Sequence, residues 1–364
     1  MTTNLNQIKF NYRPHLLKFR FEAGTSRGAL TEKTSFLVSA FESEREQVKG
    51  WGEAGPLPKL SEDDIPDFEH RLADLCQRLS GEDIPKDKSE IITWVEAHIP
   101  NELPSIRFAF ETALLDLLYG GNKKILNNPF YDQGRAIPIN GLIWMGSEAF
   151  MLEQIDKKLA DGFDCIKMKI GAIDFEQECA LLGYIRDQYT SEEITIRVDA
   201  NGAFQADEAM GKLQRLAAYD LHSIEQPIRQ GQADQMKELC AHTPLPIALD
   251  EELIGVHDLT TKRALLETIR PQYIILKPTL LGGIKASEEW IDTAENLGIG
   301  WWITSALESN IGLNAIAQFT ATREVQMPQG LGTGQLYQNN FTSPLTIEKG
   351  KLYYQKEKKW DQNV

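Results

Sequence analysis

Lys167, Lys169, Asp199, Glu225, Asp250 and Lys277 are spaced as a repeating fold would space them, with steps from Lys169 of 30, 26, 25 and 27 residues. Three carboxylates offer only oxygen donors. That set suits a hard divalent cation, Mg²⁺ above all, with Mn²⁺ as a substitute. No histidine belongs to the ladder, which disfavours zinc and non-haem iron. A lysine near such a cation and near other ammonium groups has its pKa lowered, so a neutral amine can serve as general base near pH 7. Base, cation and second lysine together describe proton abstraction next to a carboxylate, with the resulting enediolate held by metal and lysine. Taken singly, an Asp at a strand end usually caps a helix and a strand Lys usually faces solvent. The register of the whole set carries the chemistry.

One βα unit has about the length of these steps, so each group falls at the end of a successive strand, on the face where a barrel gathers its catalytic groups. Lys167 and Lys169 share one side of their strand, as do Asp199 and Asn201 and, two before Asp199, Arg197. The expected strands are Pro138–Trp144, Cys165–Ile170, Thr195–Asn201, Ser223–Pro227, Ile247–Asp250, Tyr273–Pro278, Trp301–Ser305 and Gly330–Gly334. Eight strands with amphipathic helices between them predict an α/β fold, a closed (β/α)₈ TIM-type barrel. The turn Trp144-Met145-Gly146 lacks the glycine fingerprint of a doubly wound nucleotide-binding sheet. Ahead of the barrel, residues 8–22, 33–42 and 46–54 read as strands. Ser61 to Leu79, Ser89 to His98 and Pro104 to Tyr119 read as helices, with Ser61 and Ser89 as N-caps. A hairpin over Leu345 to Gln355 is expected to fold back onto this N-terminal α+β unit.

The 364 residues are 42% hydrophobic and 25% charged, a globular composition that excludes disorder and fibrous repeats. A net charge of −15 repels phosphate backbones and anionic lipid, so neither nucleic acid nor membrane is an expected partner. It leaves room for a small anionic substrate, because a buried cation cluster dominates locally. Cys76, Cys165, Cys179 and Cys240 are scattered without a CxxC pair, against a disulfide framework or thiolate zinc site. Charged residues interrupt every apolar run of the first 21 residues, and no run reaches the length of a membrane span, so a cytoplasmic protein is expected.

Five stretches occur in order: Ile166-Lys167-Met168-Lys169, Arg197-Val198-Asp199-Ala200-Asn201, Ile224-Glu225-Gln226-Pro227, Ala248-Leu249-Asp250-Glu251 and Ile275-Leu276-Lys277-Pro278. With Pro138 to Trp144, the turn Gly52-Glu53-Ala54-Gly55-Pro56 and Ser305-Ala306-Leu307-Glu308-Ser309, they resemble the enolase superfamily, within its muconate cycloisomerase-like subgroup. The resemblance implies a modified barrel (136–340) under an N-terminal capping domain (1–135, completed by 341–364), with the site between them. It implies Asp199, Glu225 and Asp250 as Mg²⁺ ligands with Glu251 beside them. It implies Lys169 as the base that then protonates a departing hydroxyl. Lys277 would stabilise charge across the substrate, and Lys167 would tune its neighbour. The implied reaction is dehydration of 2-succinyl-6-hydroxycyclohexadiene-1-carboxylate in menaquinone biosynthesis. An N-succinyl- or N-acylamino acid racemase, or another enzyme of the subgroup, is the alternative. A non-catalytic protein would have no reason to keep both lysines and all three carboxylates.

A dipeptide epimerase fits less well. A dipeptide's ammonium group needs a carboxylate pair at the eighth-strand end, where this chain reads Gly332-Thr333-Gly334-Gln335. Substrate contacts are expected from Thr304, Ser305, Asn201 and Arg197, the last equally well a salt-bridge partner within the barrel. The loop Ala23 to Leu30, with Arg27, reads as a lid or as a simple connection.

Overall fold

The computed structural model describes residues 4–25 and 28–361. Strands Ile8–Thr25, Gly28–Glu42 and Gly50–Ala54 form an antiparallel sheet with Gly28–Glu42 in the centre. The central strand is buried on both faces from Ser35 to Phe41. Phe36, Val38 and Ala40 face a core that includes Phe68, Leu72 and Ile106, whereas Leu37 on the other face meets Ile311 and Phe341. The expected loop from Ala23 to Leu30 is mostly strand: pairing continues to Thr25 and resumes at Gly28, and Arg27 lies outside the described residues.

Helices Phe68–Arg78, Lys88–His98 and Pro104–Leu118 cover the sheet. Neither expected serine cap holds. Asp87 caps the second helix by accepting from the Ser89 and Glu90 amides, because a carboxylate two residues earlier reaches the free first-turn N–H groups. Ser61 instead accepts from the Leu57 amide in the turn before the first helix. Pro104 opens the third helix, where its missing N–H costs nothing.

Seven parallel strands then lie in sequential order: Gly141–Ile143, Cys165–Lys169, Thr195–Asp199, Ser223–Glu225, Ile247–Leu249, Tyr273–Leu276 and Gly300–Ile303. The expected eighth strand, Gly330–Gly334, is reduced to two isolated parallel bridges, Thr304 with Gly330 and Ile139 with Gln329, followed by a 3₁₀ turn over Thr333–Gln335. Pro328 lacks an N–H and the glycines lack side chains to pack, so a regular strand has little to hold it. The first strand is likewise shorter than expected. Ile137–Pro138 leaves the barrel to pair with Lys351–Tyr354 of the C-terminal hairpin. That hairpin, turned at Lys349 and Gly350 with positive φ, therefore joins the entry to the barrel rather than the N-terminal sheet. Phe341, just before it, does reach the N-terminal sheet, with its ring 4.5 Å from that of His15.

The α+β unit sits on the barrel through Leu17, Phe19, Ala23 and Leu57, which pack with Trp144, Leu280, Ala306, Leu307, Leu336 and Tyr337. All four cysteines are buried and free. Among the described residues, no helix is long and apolar enough to cross a membrane.

Helix Pro104–Leu118 lies so close to strand Gly50–Ala54 that a Cβ on Gly52 would stand 1.9 Å from the Ala109 carbonyl oxygen. Gly52→Ala must push the two elements apart. It is expected to destabilise the fold by about 1–3 kcal/mol, the usual size of overpacking. Thermal denaturation checks this: an unchanged Tm would mean that the contact carries no constraint.

Candidate active site

Strand register brings the ladder to one face. Lys169, Asp199 and Glu225 are direct neighbours across adjacent strands, and Glu225 pairs with Ala248. Asp250 is two residues beyond Ala248, and Lys277 is four beyond Tyr273, the next partner. Even steps keep every side chain on the barrel's interior side. Lys167 and Arg197 pair one layer deeper.

Burial in this layer forces each charge against an opposite one. Lys169 Nζ donates to Asp199 Oδ2 at 3.0 Å and to Asn201 Oδ1 at 2.9 Å. Lys167 Nζ donates to Glu225 Oε2 and lies 3.1 Å from Asp199 Oδ2. Lys277 Nζ donates to Asp250 Oδ2 and stands 3.7 Å from Glu225 Oε1. The two outer lysines are driven in opposite directions. Burial, helped by the charges of Lys167 and Lys277, pulls the Lys169 pKa below the ordinary lysine value despite Asp199. Burial alone would lower Lys277 as well, but Asp250, Glu225, Glu251 and Asp199 outweigh it and hold the ammonium protonated. Asp199, against three lysines that outweigh its own burial, is held well below the usual carboxylate range. Asp250 is raised, first by burial and then by the neighbouring charges of Glu251 and Glu225.

These groups open into a cavity of about 390 Å³. Lys167, Lys169, Lys277, Asp199 and Asn201 line it from the barrel, and Phe21 and Leu57 from the capping unit. The ring of Trp144 lies 5.7 Å from Lys169 Nζ. Of the expected substrate contacts, Thr304 and Ser305 line the cavity. The Thr304 hydroxyl is buried without a hydrogen-bond partner, whereas that of Ser305 donates to Glu308 and accepts from Thr333. Asn201 also lines it, but its amide spans Lys169 and Glu251, with Nδ2 3.1 Å from Glu251 Oε1. Arg197 is not among the lining residues. It lies beneath, 4.1 Å from the centre of the Trp302 ring, and Nη1 donates to the Pro328 carbonyl at 2.7 Å. Lys167 reaches the cavity from the same layer, but the contacts to Trp302 and Pro328 hold the Arg197 guanidinium away from it.

Glu53 and Glu308 organise the seventh-strand loop, a task not readable from their types. Glu308 accepts from Ser305, Thr279 and the Ala306 amide, and Glu53 from the Ser309 hydroxyl and the Ser309 and Gly312 amides. Both lie in stretches that the family resemblance rests on, which is the only signal the sequence holds for them. Leu307, between these anchors, takes φ of 65° and offers its carbonyl to the Tyr337 hydroxyl at 2.7 Å.

Asp199, Glu225 and Asp250 fit a hard divalent cation by donor type, and Glu225 Oε1 is a buried acceptor that receives no hydrogen bond. Among the described residues, no three His, Cys, Asp or Glu side chains stand together as a ready metal cluster. The lysine ammonium groups are the counter-charges that the carboxylates face here.

Residues 151–358 match the enolase C-terminal domain-like family. o-Succinylbenzoate synthase of Desulfotalea psychrophila is 47% identical over 369 aligned positions, which cover 96% of this chain and 99% of that protein. The crystal structure of MenC from Desulfotalea psychrophila matches with a TM-score of 0.85 at 44% identity, over 95% of this chain and 99% of that one. A dipeptide epimerase from Enterococcus faecalis, solved with Mg and the dipeptide L-Leu-L-Tyr, shares the fold at a TM-score of 0.81 and 20% identity, over 95% and 97% of the two chains. A family match over more than half of the chain, and near-half identity along almost all of it, place this protein in the enolase C-terminal domain-like family of the enolase superfamily.

Proposed function

We propose that this chain is an o-succinylbenzoate synthase, which removes water from 2-succinyl-6-hydroxy-2,4-cyclohexadiene-1-carboxylate to give 2-succinylbenzoate for menaquinone biosynthesis. The observation that carries the choice of substrate is the full-length 47% identity to a curated synthase. The chemistry of the site agrees with it. Lys169, the one of the three barrel-strand lysines whose pKa is lowered, is suited to take the ring proton next to the substrate carboxylate. The ammonium so formed lies ready to protonate the departing hydroxyl on the same ring face. Asn201, at 2.9 Å, and Asp199, at 3.0 Å, orient the amine. Lys277 stays charged and stabilises the negative charge that develops on the carboxylate. Asp199, Glu225 and Asp250 would hold a divalent cation, Mg²⁺ by their oxygen-only chemistry, which when bound adds positive charge at that same carboxylate. Phe21, Leu57 and Trp144 limit water at the reacting ring.

The reading is tested by comparing kcat/KM for the cyclohexadiene substrate, N-succinyl amino acids and dipeptides of the Ala-Glu type. The cyclohexadiene is expected to lead. A racemase rate above the dehydration rate would move the chain to the alternative function.

The lysine roles predict an asymmetry. Lys169→Ala should lose roughly 10³-fold in kcat together with exchange of the α-proton in deuterated water. Lys277→Ala should lose roughly 10²-fold, and Lys277→Arg should regain part of that because the charge returns. Since Lys169 must be neutral to accept a proton, kcat/KM should rise with pH and level off above its lowered pKa. Lys277, held protonated, should add no alkaline fall. Normal proton exchange by Lys169→Ala would sink the assignment.

Glu225→Gln should bind Mg²⁺ more weakly by titration calorimetry and lose activity while keeping the wild-type circular dichroism spectrum. Full activity in excess chelator would contradict the proposed cation.

A further inference from the structure

The capping strand Ile8–Thr25 does not stay with its own sheet throughout. Its pairing with Gly28–Glu42 shifts register between Lys18 and Ala23. Within that interval the backbone turns to the barrel. Phe19 bridges Tyr337, the Arg20 amide donates to Leu336 O at 2.9 Å, and the Gln338 amide donates to Lys18 O at 2.9 Å. Beyond it, Gly24 bridges Met145, where a Cβ would stand 2.7 Å from the Met145 carbonyl oxygen. The stretch between is thereby fixed across the cavity mouth.

Arg20 lies in this stretch. It is exposed and lines the same cavity as the buried lysines. Its Nε donates to the Gln335 carbonyl at 3.1 Å, which fixes the guanidinium plane. Lys167, Lys169 and Lys277 each face a carboxylate, whereas Arg20 makes no ion pair with any described residue. On the barrel side, Lys157, Lys158, Glu153 and Asp161, from the helix Glu148–Ala160 and the turn after it, also line the cavity and balance one another in number. Among the described residues, Arg20 is the one cation that lines the cavity from the capping unit. A guanidinium held by one nitrogen keeps its two terminal nitrogens for a carboxylate, in the fork geometry that favours two parallel hydrogen bonds.

We propose that Arg20 is a specificity-determining residue that receives the second carboxylate of a dianionic substrate, the one on its flexible tail, while the first lies at the lysines. For the identity of the tail, here the succinyl group, the proposal rests on the dehydratase reading. A tail carboxylate that enters a half-enclosed mouth loses part of its hydration and needs a partner there.

The test uses titration calorimetry with 2-succinylbenzoate and with its analogue in which the tail carboxylate is a carboxamide. Wild-type protein should prefer the carboxylate by about 20-fold, the scale of a charge-assisted pair. In Arg20→Met that preference should collapse toward one, and Arg20→Lys should restore part of it. Lys356→Met, which removes one positive charge at the contact with Tyr131, should keep the wild-type ratio. In turnover, the loss in Arg20→Met should fall mainly on KM. A wild-type carboxylate preference in Arg20→Met, or a loss confined to kcat, would overturn the proposal. Wild-type protein that fails to turn over the cyclohexadiene would overturn the dehydratase reading alone. The carboxylate-to-amide ratio measured with N-succinyl amino acids would then still decide the role of Arg20.

Discussion

Charges buried together at the open end of a barrel persist only when each faces its opposite, and the rest of this site follows from that constraint. Lys167, Lys169 and Lys277 are all within a tenth of full burial, as are Asp199, Glu225 and Asp250. Removing an isolated charge from water costs several kcal/mol, so the set must be arranged as alternating partners. That arrangement is also what separates the two outer lysines. Lys169 has Asp199 and a neutral amide beside it, and Lys277 has four carboxylates in its field. One fold thus produces a basic amine and a fixed cation within the same cavity.

The ladder was legible because its spacing is set by the length of a βα unit, and a periodic constraint leaves a periodic trace. Other parts leave none. The eighth barrel strand could not be foreseen as two bridges, since its glycines are equally consistent with a tight strand. The Asp87 cap was displaced to Ser89 because both residues can cap and only the chain's entry angle chooses. Arg197 was rightly placed on the interior side of its strand. Lys167, its register partner, reaches the cavity, so packing on Trp302, which sequence parity does not encode, is what keeps Arg197 from lining it. Glu53 and Glu308 belong to the same class: their partners are supplied by tertiary contact, and Ser309 lies 256 residues from Glu53.

Those two carboxylates tie the capping unit to the chemistry. Glu53 stands on the N-terminal sheet yet holds the amides that follow the seventh barrel strand, and Glu308 braces the same loop against Thr279, two residues beyond Lys277. Lys33, buried beside Ser35, lies in the field of both, and burial pulls its pKa below the ordinary lysine value against their pull. The wall formed by Ser305, Ala306 and Leu307 is therefore set by the capping unit and the barrel jointly.

The seam between Lys18 to Arg20 and Leu336 to Gln338 joins segments more than three hundred residues apart in the chain. During synthesis the first of these must wait for the second until more than three hundred further residues have been made. The cavity acquires its roof last, after the barrel strands that carry the lysines have been made. Until then the apolar side chains of Leu17 and Phe19 lack the partners that bury them. Closure over so long a loop is entropically slow, which makes this seam the natural late step of folding and the place where a nascent or truncated chain is open to chaperone capture.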